Sequence, residues 1–310
     1  RIIPETQVPS FRVPSTTMFL GSCQGKSTKA AVTSSGSLRL VPRSKLYVSE
    51  PHPRMFGNAR NPGSGSPEAQ IWTDENWLKS RFHFSFAEYS SGPKQYGVLR
   101  VMNDDLVQAA RGFGEHPHRD MEIITFVVDG GLTHQDSMGN SETLGRGSIQ
   151  FMTAGTGVEH SEANKDKSSH LRFIQSWVLP RQRGLKPNYG SMVGDEAAAE
   201  ARRDQWAHLV GDVEDRAGRA PVKINQDCNV FVVELSPGRA SPPLDVRAGR
   251  QAYLLCVEGG AEAASVGQVL QRHDGAEVKG PLSLQLTASA EGALVLVFEM
   301  ALTGDGRRDL

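Results

Sequence analysis

The chain has 310 residues, and 34 Lys and Arg against 35 Asp and Glu leave a formal net charge of -1. Beyond the first fifty residues the two signs are interspersed, which argues against a nucleic-acid partner held by charge, since that would leave a basic stripe. The longest apolar runs, such as the six residues 293–298, fall far short of the ~20 needed for a membrane-spanning helix, and the length suggests about two domains.

Residues 1–49 stand apart: seven Lys or Arg, one acid (Glu5), fourteen Ser or Thr and no hydrophobic period. This is the composition of a transit peptide. The expectation is therefore an organellar address, plastid ahead of mitochondrion, with a disordered tail and a cytoplasmic or nuclear location as the alternatives. Residues 50–70, with four prolines and the run Asn61-Pro62-Gly63-Ser64-Gly65-Ser66, read as a linker. From residue 71 to 183 short apolar runs alternate with glycine: 82–86, 97–101, 123–128, 148–152 and 173–179. Turn signals at that spacing predict an antiparallel sandwich or barrel. A helix is expected over Asp195–His208, with Asp195 as its N-cap. Strand-like runs return at 230–235, 251–257, 283–287 and 293–300, so residues 184–310 form a second β domain and the two halves suggest an old duplication. Cys23, Cys228 and Cys256 are an odd number without CxxC spacing, which provides neither a zinc knuckle nor a disulfide framework.

The chemistry concentrates between residues 112 and 162. In the segment Gly114-Glu115-His116-Pro117-His118-Arg119-Asp120-Met121-Glu122, a strand would point His116 and His118 to one face with Cα atoms about 6.6 Å apart. That separation lets two imidazoles meet on one ion, and Glu122 shares the parity. A second segment, Gly155-Thr156-Gly157-Val158-Glu159-His160-Ser161-Glu162, places a glycine turn before a strand start with His160 and Glu162 on a common face. Two strands of one sheet would then aim His116, His118, His160 and Glu162 at one centre suited to Fe, Mn, Ni, Co or Zn. Other residues take plainer readings. His134 and Asp136 fit a solvated hairpin face before Gly139-Asn140, His83 a partner for backbone groups, and Trp177 and Phe151 core positions that can also line a cavity.

These motifs, with His83-Phe84-Ser85-Phe86-Ala87, residues 99–105, His134-Gln135-Asp136-Ser137-Met138-Gly139-Asn140 and Gln175-Ser176-Trp177-Val178-Leu179-Pro180, resemble the pirin family of the cupin superfamily, especially its bacterial-type branch. The resemblance covers roughly residues 72–300 and is strongest in the first half. It implies an all-β bicupin: two antiparallel β-barrels (double-stranded β-helices) with a short connecting helix and one metal in the N-terminal barrel. The family's ligands map onto His116, His118, His160 and Glu162, preferring Glu162 over Glu122. Residues 230–300 offer only His273, so the second barrel is expected to be metal-free. The resemblance further implies one divalent transition metal, with iron leading over manganese, nickel, cobalt and zinc. It also implies a dioxygenase that opens the ring of a flavonol such as quercetin with O2, with Glu162 taking the 3-hydroxyl proton. The competing expectation is a metal-carrying regulatory or interaction protein without turnover.

Overall fold

In the computed structural model, residues 36–59, 72, 73 and 76–302 are described, and strands dominate. In chain order the first half contains β1 (Ser37–Val41), β2 (Tyr47–Ser49), β3 (Leu78–Phe82), β4 (Leu99–Val107), β5 (Gly112–His118), β6 (Glu122–Asp129), β7 (Leu132–Asp136), β8 (Ser141–Leu144), β9 (Ile149–Thr153), β10 (Val158–Asn164), β11 (Leu171–Val178) and β12 (Asn188–Met192). After α1 (Glu196–Arg202) come β13 (Ala207–Asp212), β14 (Val222–Ile224), β15 (Cys228–Leu235), β16 (Leu244–Val246), β17 (Arg250–Ala263), β18 (Gln268–Gln271), β19 (Gly275–Lys279), β20 (Leu282–Leu284) and β21 (Thr287–Ala301).

Each lobe pairs one large sheet with a smaller one. The first lobe has a seven-stranded sheet, ordered β12-β9-β6-β11-β4-β3-β2, and a four-stranded sheet, ordered β5-β10-β7-β8. The second has an eight-stranded sheet, ordered β1-β19-β17-β21-β15-β13-β14 with β18 against β17, and the pair β16-β20. The two large sheets face each other. Ile124, Phe126 and Val128 of β6 share one core with Leu255, Leu294, Leu296 and Phe298 of the second lobe, while Val127 points into the first lobe's own core. Alternation along a strand thus buries both faces of β6, which is why residues 123–128 read as a continuous apolar run rather than an alternating one. Each such fully buried side chain contributes about 1.5–3 kcal/mol.

Three expectations are corrected by this architecture. The supposed tail does not run to residue 49. β1 pairs with β19 of the second lobe, Ser37 opposite Lys279 through Val41 opposite Gly275, and β2 pairs with β3 of the first. Leu38 and Leu40 pack on the second lobe's core, and this apolar contact outweighs a composition that looks unstructured when read alone. Residues 1–35, with most of the transit-like composition, and residues 60–70 of the expected linker lie outside the described residues. The helix starts where expected, with the Asp195 carboxylate accepting from the Ala198 amide at 2.9 Å, but it ends at Arg202. Arg202 is drawn to Glu234 at 2.8 Å, and Asp204, at φ 56°, accepts from the Ser236 amide at 2.7 Å. These tertiary bonds override the helix propensity of the residues beyond, and Ala207–Asp212 becomes a strand. His83, finally, is paired with a side chain: Nδ1 lies 2.9 Å from the Tyr253 hydroxyl across the lobe junction.

Candidate metal centre

The four-stranded sheet builds the centre. β10 lies between β5 and β7, with His160 opposite His116 on one side and Asp136 on the other. Directly opposed residues share a face, so the three strands bring their polar side chains together. A bulge between His160 and Glu162 shifts the β5 register, placing Glu162 opposite Phe113, while on the other edge Glu162 stays opposite His134. Gly155, at φ 46°, makes the turn before β10; a Cβ there would come within 2.0 Å of the Leu185 carbonyl oxygen.

The rings of His116, His118 and His160 sit 4.6–4.8 Å apart, centroid to centroid, and one nitrogen from each falls within 4.8 Å of the others. Their chemistry fits a cation. His116 Nδ1 donates to the Gly114 carbonyl at 2.7 Å, which leaves Nε2 as a lone pair. His160 is 2% exposed, and its Nε2 has no hydrogen-bond partner among the described residues. A buried orphaned nitrogen costs free energy unless something coordinates it, and three imidazoles around one point suit a first-row divalent ion. Burial, reinforced by the neighbouring rings, lowers the pKa of His118 to about 4 and of His160 to about 2, so both stay neutral and ligand-competent.

Glu162 belongs to a second, overlapping group. Its carboxylate, His160 and His134 offer atoms within 4.8 Å of one another, whereas His116 and His118 do not share that set with it. It is 2% exposed; Oε2 accepts from Gln175 at 2.6 Å and Oε1 from Gln150 at 3.3 Å. Burial raises its pKa to about 7 against the opposing bonds from Gln175 and Thr125. Glu122 is elsewhere. It accepts from Thr153 at 2.8 Å and from Asn225 of the second lobe at 3.0 Å. The turn at Asp120, φ 50°, ends β5 before β6 begins, so the parity shared with His118 on paper has no meaning across it.

The hairpin of β7 and β8 forms as expected, but the expected solvated face of His134 and Asp136 is buried. Their side chains are 1% and 0% exposed, His134 Nε2 lies 3.0 Å from Asp136 Oδ2, and the ring stacks on Tyr189 at 4.5 Å and 14°. Alternation alone gave no sign that β7 has the centre on one side and β8 on the other. Trp177 lies against His118 at 4.8 Å and donates to Gln175 at 3.2 Å, so it lines the centre; Phe151 is in the core between the lobes. In the second lobe His273 is bonded to Asp104 at 2.5 Å, beside the bidentate Arg172–Asp104 pair. A depression of about 460 Å3, bounded by Pro117, His118, Arg119, Ser137 and residues 156–159, opens from His118 to solvent, a volume typical of small-molecule sites.

Two face-to-face β lobes with a histidine-rich centre in one of them define a bicupin. Sequence comparison gives the family. The Pirin family model matches residues 65–178, and a model described as the quercetinase C-terminal cupin domain matches residues 214–300. A Pseudomonas aeruginosa protein, provisionally named a quercetin 2,3-dioxygenase, is 39% identical over 225 residues, 72% of this chain and 93% of that protein. The quercetin 2,3-dioxygenase of Escherichia coli K12 is 32% identical over 228 residues, 73% of this chain and 93% of that protein. Among solved structures, the bacterial pirin YhhW of Escherichia coli in complex with nickel(II) superposes with a TM-score of 0.68 at 27% identity, covering 86% of this chain and 100% of that one. The chain belongs to the pirin family, and the YhhW structure, to which it is similar, holds nickel(II). These relatives are bacterial proteins, and bacteria have no plastid or mitochondrion to address. The organellar expectation is therefore withdrawn.

Proposed function

We propose that the protein is a metal-dependent dioxygenase that opens the ring of a flavonol such as quercetin, with His116, His118, His160 and Glu162 holding one iron ion. The observation that carries this reading is the cluster of the His116, His118 and His160 imidazoles, one nitrogen of each within 4.8 Å of the others, beside the buried Glu162 carboxylate and with His118 bordering a depression open to solvent. A bound divalent ion supplies a Lewis acid that lowers the pKa of a coordinated phenol. The chain's own residues do the remainder. Glu162 accepts the 3-hydroxyl proton as general base, Gln175 and Gln150 hold its carboxylate in place, and Trp177 packs its ring against His118. The relatives named as quercetin 2,3-dioxygenases support the substrate class.

The test is elemental analysis of the purified protein and of His116→Ala, followed by oxygen uptake with quercetin and a panel of other phenolics. About one iron per chain, lost in the variant, together with oxygen consumption by the wild type is the expected result. Metal without turnover on any phenolic would move the protein to the regulatory class, and a chain without metal would remove the site assignment.

A further inference from the structure

The buried pair His134 and Asp136 lies next to the centre, and its hydrogen bonds have a direction. Asp136 is pinned by four donations: Oδ1 from the Met138 amide at 2.9 Å, the Asn140 amide at 3.0 Å and the Asn140 side chain at 3.1 Å, and Oδ2 from that same side chain at 2.9 Å. Oδ2 also meets His134 Nε2 at 3.0 Å. A carboxylate only accepts, so Nε2 of His134 carries a hydrogen, and in that tautomer the ring's lone pair is at Nδ1. That lone pair faces His160 Nδ1 at 3.5 Å. Two facing ring nitrogens are compatible only if one bears the hydrogen, which here falls to His160. His160 is then the Nδ1–H tautomer, and its bare lone pair is on Nε2, the buried atom without a partner among the described residues.

We infer that Asp136 and His134 are positioning residues that orient the His160 ring and select the tautomer whose Nε2 faces the metal. The inference rests on the metal reading proposed above and extends it outward by two residues. Metal-bound imidazoles ordinarily donate their other ring N–H to a fixed acceptor; in this chain the acceptor is a second histidine, itself oriented by a carboxylate. Tyr189, stacked on His134, leaves that ring little room to flip. The sequence carries the device as His134-x-Asp136-x-x-x-Asn140, in which Asn140 closes the turn around Asp136.

Titration of the metal-free full chain with nickel(II), followed by calorimetry, separates the possibilities when combined with 15N-histidine NMR of the same sample. Asp136→Asn can present an amide donor to His134, reversing both tautomers, and is expected to weaken nickel binding by about 10–100-fold. His134→Phe keeps the stacking but removes the acceptor and is expected to fall in the same range. His134→Asn, whose carbonyl sits near the former Nδ1, is expected to recover part of the loss. Thermal midpoints of the metal-free variants establish that each is folded. Wild-type affinity in both Asp136→Asn and His134→Phe, or an Nε2–H tautomer at His160 in the metal-free wild type, would overturn the relay. Complete loss of nickel in His134→Phe with none in Asp136→Asn would overturn it too, making His134 a direct ligand. Should the wild type itself take up no metal, the metal reading fails, while the NMR tautomer still decides the relay.

Discussion

Two acidic residues that strand parity alone does not separate, Glu122 and Glu162, have different fates at the scale of single residues. Glu162 sits within the histidine cluster, and Glu162→Gln is expected to keep bound metal while turnover falls by at least 10²-fold, the lower end of what a positioned general base supplies; metal content and oxygen uptake measured on one preparation check this. Full turnover in that variant would remove Glu162 as the base. Glu122→Ala is expected to leave metal and turnover in place but to cost about 1–3 kcal/mol in urea unfolding, because Thr153 and Asn225 lose their acceptor. Position along the chain could not separate these two. Side-chain alternation holds within one strand and is reset at the Asp120 turn, so the physical basis for the preference given by the resemblance came with the strand boundaries.

Strand β10 shows what an element contributes beyond its residues. Its start depends on Gly155, whose left-handed backbone and 2.0 Å clearance to the Leu185 carbonyl leave no room for a side chain. Gly155→Ala is expected to destabilise the fold by about 2 kcal/mol or more and to weaken metal binding, since His160 and Glu162 follow within one strand; urea midpoints and metal stoichiometry report both effects. The glycines of this turn and the H-x-H and H-x-E spacings were readable in advance because each is local. The roles of His134 and Asp136 were not. They depend on β7 pairing with β10 along its full length, and a period-two pattern cannot say which face of a short strand meets water. The overlong helix has a similar origin: propensity favours it through residue 208, but contacts to Glu234 and Ser236 end it at Arg202.

The junction between lobes sets the stability of the whole molecule. Arg172 and His273 hold Asp104 in a buried cluster, keeping its carboxyl well below the usual range against the cost of burial. Arg172→Met would leave that charge buried with its main partner gone, an expected loss of about 3–5 kcal/mol measurable by urea unfolding. Acid acts on the same region. Burial in the folded protein holds His83 near 4, so the unfolded chain, with an ordinary histidine value near 6.5, binds its proton more readily. Stability is intact above pH 6.5 and declines as pH falls toward 4. At pH 5 the expected loss from His83 alone is about 2 kcal/mol, and in the metal-free protein His118 and His160 act in the same direction. Urea titrations of metal-free protein at pH 7.5 and 5 check it; equal midpoints would show that His83 is charged or solvated in the fold.

By itself the sequence determined the β class, the two lobes, the local H-x-H and H-x-E segments and the family, because alternation, turn residues and short motifs are properties of neighbours in the chain. Tertiary structure alone decided that residues 37–49 reach both lobes, that Glu122 ties the lobes together while Glu162 sits with the histidines, and that His134 and Asp136 are buried behind His160. Each of those facts depends on which strands pair and which faces are covered, and the physical cause is burial, whose energetics belong to contacts between segments far apart in sequence.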